Sequence, residues 1–412
     1  MDPEQAHQGT RAGHDGPGSR LETSRPTLLL DGGSRVDLGV VRSLGLTGIP
    51  VHLLTHNRRS ITTTSRFVTA VHAFPPPNAP DEVRLERLRR IVAGLDRRPV
   101  MLPTGDRALS FLSRCRGSIG EVLDHDLAPS ELIERCLWKD RFALWASAAG
   151  VAVPTTFVPT DAADVRTRAG DLHFPVFVKP AVHEIWADLP PGIVGHVKGE
   201  RLNNAADLIR LFERLEPFGA HRTVVQEFVP GPDQGHASVH AYLDSSRTVV
   251  GVFSGRKVRI APPHRGLGVL VRSELIPEAL DVAVTALQTL GFVGMAVVNL
   301  KFDAERGGFK LLEINCRYST WTELPTRCGC NLPAAAYAVI TGQQPAVGIQ
   351  REGVAWWDLR RDWKAMSTYR REGEWTWGSY LRSLAAVRHG AYFAWDDPLP
   401  FFWSMVGRGG GQ

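Results

Sequence analysis

No apolar run in these 412 residues is long enough for a spanning helix, and no apolar signal region opens the chain. A cytoplasmic protein without a membrane span is the expectation. Cysteine is scarce as well. Five thiols, at 115, 136, 316, 328 and 330, make no disulfide framework in a chain of this length. Cys316 and the "CGC" at 328–330 lack a fourth ligand at regular spacing, so they read as reduced, semi-buried thiols rather than a zinc site. Glycines 32, 33 and 39 do not make GxGxxG, and "LLTHNRR" closes the second strand without an acid, which argues against NAD. The net charge of +5 comes from 48 basic and 43 acidic residues spread along the chain. With no concentrated basic face, no nucleic-acid partner is expected. Lysine is the most telling shortage. Only positions 139, 179, 198, 257, 301, 310 and 364 carry it, and the other 41 basic residues are arginine. A retained lysine then marks a place that needs a compact, flexible point charge, as phosphates often do, although codon bias gives the same count.

What is present divides into segments. Residues 1–26 are polar, rich in Gly, Pro and charge, and read as a disordered leader. From 27 to 128 the pattern is strand, Gly-Gly turn, helix, strand ("TLLLDGG", "VDLGVVRSLGLTG", "IPVHLLT"), with a further strand-turn-helix from Pro99. That alternation predicts a small parallel α/β layer. From 129 to 345 helices alternate with "FPVFVKP", "TVVQEFVPG", "ASVHAYL", "TVVGVFSGRKVRI", "MAVVNLKFD" and "GFKLLEIN", an α+β unit with a largely antiparallel sheet. Residues 346–412 hold seven of the eleven tryptophans and read as an appendix packing its rings on the body. Docking at a membrane surface is its sharper alternative, weakened by the mixture of acids and bases.

"FKLLEINCR" (309–317) carries the most chemistry. Glu313, Asn315 and Arg317 lie two residues apart and share a strand face. "VVNLKFD" and "FKLLEIN", joined by "AERGG", suit a hairpin that sets Asn299 almost opposite Glu313, with Lys301 on the Asn299 face. A carboxylate and an amide oxygen suffice for Mg²⁺ when a nucleotide supplies the remaining oxygens. On spacing alone, a solvent-facing polar alternation is as good a reading. Lys179 ends an apolar strand, where an unpaired ammonium would be costly, and Lys139 stands beside a helix start.

Together "SRFV" (65–68), "LPTGDRALSFL" (102–112), "KDRF" (139–142), "FVKP" (177–180), "QEFVPG" (226–231), "GRKVRIAPP" (255–263) and "LKFDAERGGFKLLEINCR" (300–317) resemble the ATP-grasp carboxylate–amine ligases, particularly the D-aspartate ligase-like branch. The resemblance implies an ATP-grasp fold preceded by a Rossmann-like (pre-ATP-grasp) α/β domain. It implies ATP and Mg²⁺, with Mn²⁺ as a substitute. Lys139 and Lys179 would hold the α- and β-phosphates. Gln226, Glu227 and the backbone of Val229 would read adenine, and Asp233 would bind ribose. Glu313, Asn315 and Asn299 would bind metal. Lys301 and Arg317 would face the γ-phosphate and the acyl phosphate. Arg256, Lys257 and Arg259 are looser phosphate or carboxylate contacts, and Ser65 and Asp106 are candidates for an acceptor site.

Three positions depart from the family pattern. Asn299 stands where a glutamate is usual, which should weaken a second Mg²⁺. The flap "HEIWADLPPGIVGHVKG" has isolated glycines rather than a Gly-rich run, and Cys316 replaces a proline. The activity implied is ATP-dependent formation of an amide or peptide-like bond between a small-molecule carboxylate and an amine, amino acids among them, through an acyl phosphate. A homodimer is compatible with it. The alternative is a catalytically degenerate ATP-binding sensor or scaffold. His236 and His240 in "HASVH" lack a metalloprotease glutamate and sit in a strand pattern, so they are not read as metal ligands.

Overall fold

The structure, a computed structural model, describes residues 21–182, 184–219 and 222–406. Of the leader expected over 1–26, residues 1–20 lie outside the described residues. Residues 22–25 are tied to the body: the Glu22 amide donates to Gln343 Oε1 at 2.7 Å and Arg25 pairs with Asp124.

The α/β layer is a five-stranded parallel sheet. Its strands are β1 (Thr27–Leu30), β2 (Val51–Thr55), β3 (Val68–Ala73), β4 (Val100–Met101) and β5 (Asp124–His125), in the order β3-β2-β1-β4-β5. Parallel pairing requires crossovers, and the helices Arg35–Gly45, Asp81–Ala93 and Asp106–Arg114 lie among them. The first helix starts where it does because Gly33 turns at φ +69. Ser34 then caps it, exchanging hydrogen bonds with Asp37. Strand β3, which follows directly from "SRFV", was not anticipated. Its alternation of half-buried and exposed residues carries little apolar signal.

Four strands make a second, antiparallel sheet: β6 (Thr156–Phe157), β7 (Val176–Pro180), β8 (Glu200–Leu202) and β9 (Thr223–Glu227), ordered β6-β9-β7-β8. In β7 the alternation of "VFVKP" sends Val176 and Val178 into a core with Trp186, Leu208, Leu211 and Phe212. Lys179 takes the other face. This unit's core is separate from the others.

The third sheet has seven strands: β10 (His236–Leu243), β11 (Val249–Ala261), β12 (Leu267–Ser273), β13 (Gly294–Phe302), β14 (Phe309–Asn315), β15 (Ala355–Trp357) and β16 (Val387–Gly390). They run β14-β13-β10-β11-β12-β15-β16. One face buries Ala237, Val239 and Ala241 against the helix Pro277–Thr289, in a core continuous with Leu28 and Leu30 of the first sheet. The other face carries Ser238, Lys257, Asn299 and Glu313, with Glu313 in the field of Lys179 of the second sheet. Strands β15 and β16 come from 346–412, so the Trp-rich segment extends the sheet as well as packing on it. Among the described residues no helix is long and apolar enough to cross a membrane.

Candidate active site

Strands β13 and β14 form the expected hairpin, pairing Asn299 with Glu313 and Val297 with Asn315. Three neighbours orient Asn299. Its Oδ1 accepts from Lys257 Nζ at 2.8 Å and from Ser238 Oγ, while its Nδ2 donates to Glu313 Oε1 at 3.0 Å. A flipped amide would set Nδ2 against an ammonium and Oδ1 against a carboxylate, so electrostatics selects the orientation described. Asn299 therefore offers no oxygen beside Glu313. Asn315 Nδ2 donates to the same Oε1 at 3.3 Å. Glu313 Oε2 and Asn315 Oδ1 are left without a hydrogen-bond partner among the described residues. Two such oxygens fit a hard cation that keeps water and phosphate in its shell.

Cations surround this floor. Burial pushes the Glu313 carboxyl up, but Lys139, Lys179 and Lys257, with the Asn315 hydrogen bond, outweigh it and hold the group below its ordinary value. Burial lowers Lys179 to about 8 against the pull of Glu313, and lowers Lys257 to about 8 in the same way. Lys179 Nζ donates to Gln226 Oε1 at 3.0 Å, and Gln226 Nε2 donates to Thr156 Oγ1 at 3.0 Å. Three adjacent strands thus fix one ammonium. Lys139 opens its helix with its amide on the carbonyl of Ala181 at 2.9 Å, just past the end of β7.

Sequence reasoning missed Lys198, at the end of the flap. Burial and repulsion from Arg361 lower it, and Glu313 draws it the other way. The scarcity of lysine was the signal that could have found it. Five of the seven lysines (139, 179, 198, 257 and 301) stand at this floor or the adjoining cleft. The flap ends at Gly199, where φ is +130 and an added Cβ would lie 2.7 Å from the Val178 carbonyl oxygen, so only glycine fits.

A cleft of about 850 Å³ opens between the second and third sheets. Phe174 and Pro175 line one side, Phe228 the hinge, and Asp233 and Lys301 the other side. The Phe228 amide donates to the Pro175 carbonyl at 3.3 Å, whereas the buried Val229 makes no backbone hydrogen bond among the described residues. Glu227 is paired with Arg306 of the hairpin loop. Asp233 Oδ2 accepts from the Tyr369 hydroxyl at 2.6 Å and the His264 amide at 2.9 Å. Lys301 stands 4.7 Å from the Phe228 ring centre, in the field of Asp233. It lies at the Phe228 end of the site rather than over Glu313. The apolar walls, the unpaired Val229 backbone and the lysines together fit a nucleotide triphosphate.

Other expected residues are engaged elsewhere. Arg317 makes a two-pronged ion pair with Asp106, joining the end of β14 to the α/β unit. Ser65 is buried and donates to Asp397 Oδ2 at 2.8 Å, which removes it from any acceptor site. Arg259 is fully buried, paired with Asp362 through two 2.7 Å bonds and held between the rings of Trp375 and Tyr380. It is no phosphate contact. Arg256 pairs with Glu274 at 2.7 Å. His240 is fully buried, 4.0 Å from the Trp321 ring centre. The cysteines are free, and burial pushes the Cys316 thiol well up.

No family model matches the chain. D-aspartate ligase of Enterococcus faecium (strain Aus0004) is 22% identical over 262 residues, 61% of this chain and 62% of that protein. The match thus spans less than two thirds of the relative's length. Among solved structures, the L-amino acid ligase of Bacillus licheniformis superposes with a TM-score of 0.60 at 14% identity, covering 81% of this chain and 79% of that one. Biotin carboxylase of Campylobacter jejuni gives 0.58 at 15% identity, covering 79% and 72%. N5-carboxyaminoimidazole synthetase of Staphylococcus aureus, complexed with ADP, gives 0.58 at 14% identity over 80% of each chain. The chain has the ATP-grasp fold, as the motifs implied.

Proposed function

We propose that this ATP-grasp chain is an ATP-dependent carboxylate–amine ligase acting on small molecules. The observation that carries the reading is the convergence of Lys139, Lys179 and Lys257 on the Glu313 carboxylate, beside a cleft of nucleotide size. The similarity to proteins named D-aspartate ligase and L-amino acid ligase supports it. Adenine lies against Phe228 with the Val229 backbone as its polar partner, and Asp233 Oδ1 takes the ribose. Lys139 and Lys179 hold phosphate oxygens. Glu313 Oε2 and Asn315 Oδ1 would hold Mg²⁺, which when bound would neutralise charge on the phosphates. Asn299 orients Glu313 through its Nδ2 and couples it to Lys257, instead of ligating metal.

A substrate carboxylate oxygen attacks the γ-phosphorus, and the bond to the bridging oxygen breaks, releasing ADP and leaving an acyl phosphate. An amine nitrogen then attacks the acyl carbon. The carbon–oxygen bond to phosphate breaks, phosphate leaves, and the amine proton passes to solvent. Positioning and charge neutralisation by the lysines carry the first step. The flap over the site excludes water that would hydrolyse the acyl phosphate.

Asn299 also favours the second reading, an ATP-binding sensor or scaffold, because an amide here leaves one carboxylate fewer facing the phosphates. A screen of ADP release over amino acids, paired as carboxylate and amine, separates the two. Release that needs both partners, and that Glu313→Gln or Lys179→Ala abolishes in folded protein, is the expected result. Full activity in both variants would overturn the site, and nucleotide binding without turnover across the panel would favour the sensor.

A further inference from the structure

A second group of cations lies beyond the metal floor, on residues from three separate parts of the chain. Arg35 opens the first helix of the α/β unit, Arg361 lies in the helix Leu359–Arg371 of the C-terminal segment, and Lys198 ends the flap. One carboxylate serves the two arginines. Asp358, 3% exposed, accepts from Arg35 Nη1 at 2.7 Å and stands 4.0 Å from Arg361 Nε. The guanidinium of Arg361 and the ammonium of Lys198 donate to no group among the described residues. Arg35 uses only Nη1 and has its other side-chain donors to spare.

If this cluster only pinned the C-terminal helix to the α/β unit, Arg35 and Asp358 would suffice. Arg361 and Lys198 add repulsion that the pull of Asp358 on one and Glu313 on the other does not outweigh. Burial and Arg35 push the Arg361 guanidinium down, and burial, Arg361, Arg35 and Lys139 all push Lys198 down. Counting the floor, six cations (Lys139, Lys179, Lys257, Lys198, Arg35 and Arg361) face the carboxylates of Glu313 and Asp358. A nucleotide on Lys139 and Lys179 leaves the outer three cations with Asp358 as their one close carboxylate. Half-buried cations crowded in this way are relieved by an anion that neutralises them.

We infer that Arg35, Arg361 and Lys198 form a subsite for a second anionic group of the substrate, a carboxylate or a phosphate, separate from the carboxylate that is activated. The inference rests on the ligase reading for which molecule carries that group. It makes the C-terminal segment part of the active site. Arg361 presents a planar fork suited to an oxyanion, and Lys198 would reach the anion as the flap covers it.

The test is equilibrium binding to the full chain, with and without MgADP, using acetate, succinate and phosphoglycolate as probes. Wild type should bind succinate or phosphoglycolate at least about tenfold more tightly than acetate, a ratio expected of charge-assisted pairing. The stronger of the two identifies carboxylate or phosphate as the natural group. Arg361→Gln and Lys198→Gln should each bring the ratio close to one, and Arg361→Lys should retain part of it, which guards against simple misfolding of the glutamine variant. Equal binding of acetate and the dianions by wild type, or a preference that survives both glutamine variants, would overturn the subsite. Failure of the ligase reading would appear separately, as ATP turnover that no carboxylate–amine pair stimulates, and it leaves the anion preference measurable.

Discussion

Lys179 shows most directly what the site asks of a single residue. Its ammonium sits between Gln226 Oε1 and the field of Glu313, and burial has brought it from the usual 10.5 to about 8. In that window the folded chain binds fewer protons than the unfolded chain. The burial cost is therefore fully present below pH 8 and fades as pH rises toward 10.5. A phosphate oxygen favours the ammonium, so nucleotide binding takes up a proton above pH 8. MgADP affinity is expected to fall as pH rises from 8 to 9.5, by up to about tenfold per unit for one coupled proton. Calorimetry in buffers of different ionisation enthalpy would register the uptake, and Lys179→Gln should remove its share. A flat profile with no uptake would contradict the placement. Lys179, Glu313 and Asn315 were legible in the sequence because strand alternation fixes their face. The orientation of Asn299 was not. It depends on Lys257 and Ser238 from two other strands, and no spacing in the chain relates those positions.

At the scale of elements, the hairpin of β13 and β14 followed from its alternation and its Gly-Gly loop. The C-terminal segment did not. Its tryptophans indicated packing, but nothing local marks Asp362 as the partner of Arg259, 103 residues away. Arg259 was a looser ligand contact only through the resemblance of "GRKVRIAPP" to the ligases. In the fold its strand continues past the site, and the guanidinium closes on Asp362, Ser383 and two aromatic rings. Asp362→Ala leaves that charge buried and unpaired. It is expected to destabilise the chain by about 3–5 kcal/mol, measured by chemical denaturation. A loss below about 1 kcal/mol would show that the pair does not anchor the segment.

The whole molecule is two units sharing a core and one unit with its own. The first and third sheets pack through common clusters, whereas the second sheet packs on itself and meets the rest across the cleft. Arg317 and Asp106 add a polar tie beside the Glu313 floor. Because the Asp106 side chain is half exposed, a double-mutant cycle of Asp106→Ala and Arg317→Ala should give a coupling of only about 1 kcal/mol. A coupling indistinguishable from zero would remove the tie from the account. On the proposed ligase reading, such a frame would hold the nucleotide between two sheets, pass a phosphoryl group to a carboxylate and protect the product. The most direct measurement of that transfer uses a substrate whose carboxylate oxygens are ¹⁸O-labelled, with mass spectrometry of the released phosphate. An acyl phosphate requires one labelled oxygen to appear in phosphate for each amide formed, and none with Glu313→Gln. Amide formation with unlabelled phosphate would contradict it.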